Sequence, residues 1–369
     1  MSNESSARHY TAAFPGKYIQ GAGAIRALPE LMHRLGNNGM ILASPTANKT
    51  ILPSYLNDTT LKQFQVEEFG GECSRKETDR LLEITRTKNI GVVAGMGGGK
   101  TLDTAKIVAD KAGIPVIIIP TIASTDAPCS GCAVVYSEEG VFESVYYQRM
   151  NPQVVLADTR ILASAPVRFL VSGMGDALAT WFEARSCERT CSQNECGGFS
   201  TMAGLGIAKL CYETLLEYGA AAKQANEQQI ITPALNRIIE TNILLSGIGF
   251  ESSGLAAAHS IHNGLTALEE THAFYHGEKV AFGVLAGLHL TGALPSEMDT
   301  VYAFCENIGL PTTFGALGIR DTSRHRLMEA ARKACAPGEG MHHEAGVITD
   351  QAVLDAMIAA DAMGHSRAQ

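Results

Sequence analysis

Two observations fix the fold class that this sequence predicts. Over the first 165 residues short, continuous apolar runs alternate with helical stretches, and after about Pro166 long helical patterns follow without a strand signal of comparable strength. Apolar strands flanked by helices indicate a mostly parallel sheet covered on both faces. The expectation is therefore an N-terminal, Rossmann-like α/β domain over residues 1–165 and an all-α C-terminal domain over residues 166–369. The length of 369 residues agrees with two domains at about 150 residues each.

The strand candidates are Met40-Ile41-Leu42-Ala43, Ile90 to Ala94, Val116 to Ile119 and Val154 to Ala157. Val134-Val135-Tyr136 and Val141 to Val145, separated by Ser137-Glu138-Glu139-Gly140, read as a hairpin added to that sheet. The helical half is expected to hold helices over Val167 to Cys187, Thr201 to Tyr218, Pro233 to Phe250, Gly254 to Leu268 and Lys279 to Leu290, with three more towards the C-terminus. A ligand crevice at the carboxyl ends of the strands follows from the general behaviour of open α/β sheets.

Between the strand ending near Ala94 and the helical stretch Thr104 to Ala109 stands Gly97-Gly98-Gly99-Lys100-Thr101-Leu102-Asp103. A glycine turn from strand to helix lets backbone approach a phosphate, and the free N–H groups of the helix start point at the anion. The Walker A spacing fails, because its first glycine falls at Ala94. The dinucleotide pattern G-x-G-x-x-G fits as Gly95 to Gly99 with Lys100 in place of the last glycine. Lys100, Thr101 and Asp103 add polar function at the helix start, so the N-terminal domain reads as nucleotide-binding.

In the helical half, ligand-type side chains stand in apolar, glycine-punctuated segments: Asp176 in Gly173 to Trp181, His259 and His262 at i and i+3 in Gly254 to Gly264, and His276 just before a helix start. Buried carboxylates and imidazoles are costly without partners. One aspartate and two of these histidines can satisfy each other by holding a divalent ion, and three protein ligands with an open position is the arrangement of a catalytic zinc site. The C-terminal domain thus reads as metal-binding.

Bulk properties narrow the function classes. Hydrophobic residues make up 46% and charged residues 18%, as in a globular enzyme. A net charge of −9 argues against a nucleic-acid partner. No apolar run approaches the roughly 18 residues of a membrane span. Met1 to Tyr10 is polar and lacks a signal-peptide core, and nine cysteines fit free thiols in a reducing compartment, so a cytoplasmic location is expected. Cys129-Ser130-Gly131-Cys132 has no second pair at zinc-finger spacing, Cys187, Cys191 and Cys196 read as ordinary thiols at a helix end, and His342-His343-Glu344 reads as a solvated turn.

The chain resembles the iron-containing (group III) alcohol dehydrogenase superfamily, in its glycerol dehydrogenase branch. The motifs that carry the resemblance are Pro15 to Gly21, Gly70-Gly71-Glu72, Gly97 to Asp103, Pro120 to Pro128, Gly175 to Trp181, Gly249-Phe250-Glu251-Ser252, the His259 segment and His276 to Val280. The resemblance implies oxidation of glycerol to dihydroxyacetone with NAD. It implies zinc held by Asp176, His259 and His276, and pyrophosphate met by Gly99 and Lys100 in the loop that includes Gly97, Gly98 and Asp103. It places Thr121, Ser124, Ser130, Cys132 and Tyr136 along the rest of the cofactor, and Asp126 against the polyol. His262 is expected to relay a proton or to support its neighbours from behind. A homo-oligomer, a ring of eight subunits, is the assembly implied.

Two departures qualify the pattern. Iron-using relatives carry a fourth ligand, a histidine one helical turn after the aspartate, where this chain has Thr180; that favours zinc. The position at the end of the first strand that often carries a carboxylate for the adenosine ribose is Ser44, which weakens rejection of a 2′-phosphate and leaves NADP open beside NAD. The alternatives are a related dehydrogenase of another diol such as 1,2-propanediol, and a dehydroquinate-synthase-like lyase, for which Lys279 is the one cation in these segments.

Overall fold

The computed structural model describes residues 9–368. Two compact units make up the chain. One comprises 13–170 and 221–247; the other comprises the segment through Ala12, 171–220 and the residues from Ile248 onward. A single cut after residue 165 therefore does not reproduce the packing: 221–247 belongs with the sheet and the N-terminal segment with the helices.

In the sheet unit, six parallel strands run in the order β1-β8-β5-β4-β2-β3, formed by β1 (Tyr18–Gly21), β2 (Gly39–Ala43), β3 (Gln65–Glu68), β4 (Val92–Gly97), β5 (Val116–Pro120) and β8 (Val154–Asp158). The inner strands β8, β5, β4 and β2 are buried along their whole length. They are the four runs of continuous apolar sequence. Edge strands β1 and β3 are half-buried, and their sequences YIQG and QVEE carry no such run. One face of the sheet packs Ile41, Ala94, Ile117 and Leu156 against Ile25, Leu28 and Met32 of the first helical segment. The expected hairpin exists, as β6 (Cys132–Tyr136) and β7 (Phe142–Tyr147), but it forms its own two-stranded antiparallel sheet instead of extending the large one. The reason lies in its bonds: the N–H of Tyr136 donates to the Cys73 carbonyl, and that of Val134 donates to the Asp103 carboxylate (3.0 Å), which seats β6 on the helix Gly99–Ala112.

The helical unit is built from Val167–Thr190 (its residues from Val171), Met202–Glu227 (through Ala220), Ala257–Leu265, His276–Leu290, Pro295–Ile308, Arg324–Ala334 and Asp350–Arg367. The single helix expected over Pro233 to Phe250 is instead Pro233–Glu240, a π turn over Thr241–Leu245, and Ser246–Ser253. Wide turns of this kind re-aim side chains and gather at functional sites. No described helix is long and apolar enough to cross a membrane.

Candidate functional site

Asp176, His259 and His276 converge. Among the described residues they form the only group of three or more such side chains whose ligand atoms, here within 4.8 Å of one another, could share an ion. His276 Nε2 lies 3.0 Å and His259 Nε2 3.4 Å from Asp176 Oδ1. Burial alone would raise the Asp176 carboxyl; protons on the two facing Nε2 atoms outweigh it and hold that group below the usual carboxylate range, and a divalent ion would take the place of those protons.

Glycine makes the convergence possible. A Cβ on Gly277 would stand 1.8 Å from the Ser172 carbonyl oxygen and 2.8 Å from the Asp176 nitrogen, so only glycine lets the start of His276–Leu290 touch the aspartate's helix. Six residues on, a Cβ on Gly283 would meet the Ala258 carbonyl oxygen at 2.3 Å, which brings the same helix against the turn that carries His259.

A second layer of bonds orients each imidazole. Glu183 stands two turns after Asp176, with its carboxylate almost wholly buried. Its Oε2 lies 2.6 Å from His259 Nδ1, and its Oε1 accepts the N–H groups of Ala256 and His259, both at 2.9 Å. With Nδ1 donating to the carboxylate, His259 presents a bare Nε2 lone pair towards Asp176. The same bonds satisfy orphan donors at the start of Ala257–Leu265, helped by Glu344, whose carboxylate accepts from the Ala257 N–H (3.2 Å) and the Ser186 hydroxyl (2.7 Å). Glu344 is thus buried and bonded, which corrects the reading of His342-His343-Glu344 as a solvated turn; His343 likewise sits against the Leu255 carbonyl, with Nδ1 2.7 Å from it. His276 Nδ1 lies 3.0 Å from His262 Nε2, and His262 Nδ1 lies 3.0 Å from Asn263 Oδ1. Burial and the neighbouring His276 push the pKa of His262 well below its ordinary value, so the ring is neutral. Both nitrogens of His262 are engaged, an arrangement suited to holding His276 in place.

The donor set fits a divalent metal: two imidazole nitrogens and a carboxylate oxygen, each imidazole backed by a hydrogen bond on its other nitrogen. Thr180, one turn after Asp176, is buried and offers no imidazole.

In the sheet unit, the glycine turn links β4 to the helix Gly99–Ala112, with Gly98 as an N-cap that carries no side chain. A Cβ on Gly99 would meet nothing within 4 Å, so open space lies over the helix start. Lys100 pairs with Glu72 at 2.5 Å and lies 4.9 Å from the Tyr136 ring centroid. Burial, with Asp103 and Glu72 nearby, pushes the Tyr136 phenol up to about 12. Ser44 follows β2, where its hydroxyl accepts from the Ala47 N–H at 3.3 Å, and the N–H of Thr121 bonds the Gly97 carbonyl.

Three of the residues that the resemblance sets along the cofactor, Asp103, Ser130 and Cys132, also make bracing bonds. The Asp103 carboxylate is buried and holds the Val134 N–H and Lys106 Nζ (3.4 Å). Lys106, fully buried, also donates to the carbonyls of Ala127 and Cys132 (2.9 Å) and reaches the Ser130 hydroxyl at 3.4 Å. Ser130 is buried among these bonds, and the Cys132 thiol lies 3.3 Å from its hydroxyl. Sequence reading missed Lys106, Glu183 and Asn242. From the π turn, Asn242 donates to the carbonyls of Ala123 (3.0 Å) and Leu170 (3.1 Å), which pins the loop carrying Thr121 and Ser124. Ser246 donates to Asp126 Oδ2 at 2.8 Å. For Lys106 a signal existed, a lysine three residues after an aspartate on an apolar helix face; for Asn242 there was none.

A parallel sheet with a glycine turn at a helix start, together with three candidate metal ligands on glycine-crossed helices, suits a dinucleotide-linked, metal-dependent enzyme. Residues 15–159 match the profile described as iron-containing alcohol dehydrogenase. A glycerol dehydrogenase of Thermotoga maritima is 50% identical over 97% of this chain and 98% of its own. A glycolaldehyde reductase of Halobacterium salinarum is 42% identical over 95% of this chain and 97% of its own. The crystal structure of a probable glycerol dehydrogenase from Sinorhizobium meliloti superposes with a TM-score of 0.90 at 42% identity, covering 97% of this chain and all of that one. The chain belongs to the iron-containing alcohol dehydrogenase family, whose members are NAD(P)- and metal-dependent oxidoreductases.

Proposed function

We propose that this enzyme oxidises glycerol to dihydroxyacetone with NAD, using zinc held by Asp176, His259 and His276. The observation that carries the reading is the pairing of that ligand set with Glu183 and His262 on the far nitrogens of its imidazoles. The near-full-length similarity to a glycerol dehydrogenase at 50% identity supports the substrate. When bound, the ion supplies Lewis acidity to an alcohol oxygen, and NAD accepts hydride.

This chain's residues supply the rest. Glu183 holds the Nδ1 proton of His259. The N–H groups at the start of Gly99–Ala112, open above Gly99, receive the pyrophosphate, and Lys100 exchanges its Glu72 partner for phosphate charge. Thr121 and Ser124, on the loop pinned by Asn242, and Tyr136, at the end of the strand that Lys106 braces at Cys132, line the cofactor; Ser44 is near the ribose. Asp126, oriented by Ser246, accepts a hydrogen bond from a substrate hydroxyl. His262 acts by orienting His276. The missing imidazole at Thr180 favours zinc over iron. A homo-oligomer remains our expectation, to be checked by light scattering.

The similarity to a glycolaldehyde reductase favours a second reading, reduction of a 2-hydroxyaldehyde, which shares the O–C–C–O pattern of a vicinal diol. The lyase alternative needs cations at the ligand set, and Lys279 lies instead 3.4 Å from the Thr271 carbonyl. The test is a panel of glycerol, 1,2-propanediol and glycolaldehyde with NAD and NADP. Glycerol with NAD is expected to give the highest kcat/KM; no turnover of any diol would refute the proposal.

A further inference from the structure

Beyond the ligands, one side chain far along the sequence reaches the metal set through two others. Glu339 follows Gly338, whose φ of +90° turns the chain, and precedes Gly340, where a Cβ would meet the Leu255 carbonyl oxygen at 2.9 Å. That contact holds the 338–344 segment against the start of Ala257–Leu265. Asn263 Nδ2 donates to Glu339 Oε2 at 2.9 Å. An amide nitrogen can only donate, so the carboxylate dictates which way the Asn263 amide faces, and its Oδ1 is turned to His262 Nδ1. That nitrogen therefore carries the hydrogen, and His262 Nε2 is the acceptor. Facing it at 3.0 Å, His276 Nδ1 must donate, which leaves His276 Nε2 as a bare lone pair 3.0 Å from Asp176 Oδ1.

We infer that Glu339, acting through Asn263 and His262, is a positioning residue that fixes the ligating tautomer of His276 and so sets the metal affinity of the site. The inference rests on the metal-site reading above. Glu339 serves His276 as Glu183 serves His259, with two residues interposed. Loss of the carboxylate frees the amide to rotate, and a rotated amide puts its N–H₂ against His262 Nδ1 and reverses the chain of donors.

The experiment uses the full-length protein, stripped of metal and titrated with Zn²⁺ against a chromophoric chelator, with NAD binding measured in parallel. Outer partners of metal ligands are typically worth roughly 10–100-fold in affinity. Glu339→Ala and Asn263→Leu are each expected to weaken zinc by about that factor, and the double variant by no more than either alone. Glu339→Gln, whose carbonyl still accepts from Asn263, is expected to return affinity to within about threefold of the parent, with NAD binding unchanged throughout. Parent-like zinc affinity in Glu339→Ala and Asn263→Leu overturns the inference while leaving the ligand set standing. Equal losses in Glu339→Gln and Glu339→Ala overturn it too, since the acceptor then plays no part. Failure of the parent to bind zinc, or undiminished binding in Asp176→Ala, overturns the metal reading itself.

Discussion

Glu183 shows how one buried carboxylate serves two ends. It receives two backbone N–H groups of a helix start and the Nδ1 proton of His259. In Glu183→Gln the amide can keep the backbone bonds only by presenting N–H₂ to His259 Nδ1. Zinc affinity is expected to fall roughly 10–100-fold, read by chelator competition, while the circular dichroism spectrum stays that of the parent. Gly99 offers the opposite contrast. Because nothing surrounds its missing side chain, Gly99→Ala is expected to leave Tm unchanged or slightly raised and to raise the KM for NAD. A parent-like KM would remove the glycine turn from the cofactor site.

At the scale of elements, residue types announced the side chains that converge: a carboxylate and imidazoles inside apolar, glycine-rich helices are conspicuous in sequence. Their supporters are not. Glu183 follows Asp176 by seven residues and shares its helix face, yet in Phe182-Glu183-Ala184-Arg185 it looks like any surface glutamate. Glu339 and Glu344 lie about eighty positions from the helix they brace, and no local pattern marks such a contact. The same division holds in the sheet. Buried inner strands are apolar throughout and were legible; edge strands β1 and β3 are half wet, carry no apolar run and were not among the strand candidates. The helix over 233–250 was visible in its apolar period, but the π turn that aims Asn242 was not. Two variants test the element contacts. Gly277→Ala forces Ser172 and Asp176 backbone away, so a loss of about 1–3 kcal/mol in denaturant unfolding is expected, together with loss of metal. Lys106→Met leaves the buried Asp103 without its cation and is expected to cost about 3–5 kcal/mol by the same assay.

Over the whole molecule, acid stability has a traceable contributor outside both sites. Burial lowers the pKa of His289, whose Nε2 lies 3.2 Å from the Tyr302 hydroxyl, itself a donor to the Ala360 carbonyl. With the folded pKa depressed, the unfolded chain takes up the proton first. The contribution is therefore present above the unfolded value of about 6.5 and is lost as pH falls below it. Replacing His289 by Gln is expected to make Tm fall less steeply between pH 7 and pH 5; an unchanged slope would place the acid sensitivity elsewhere.

The central claim, that three side chains distant in sequence share one divalent ion, is tested most directly by anomalous diffraction at the zinc edge on crystals of the zinc-loaded enzyme. One peak is predicted, with Asp176 Oδ1, His259 Nε2 and His276 Nε2 each about 2.0–2.2 Å from it. A zinc-loaded, active crystal whose anomalous density lies away from those atoms would contradict it.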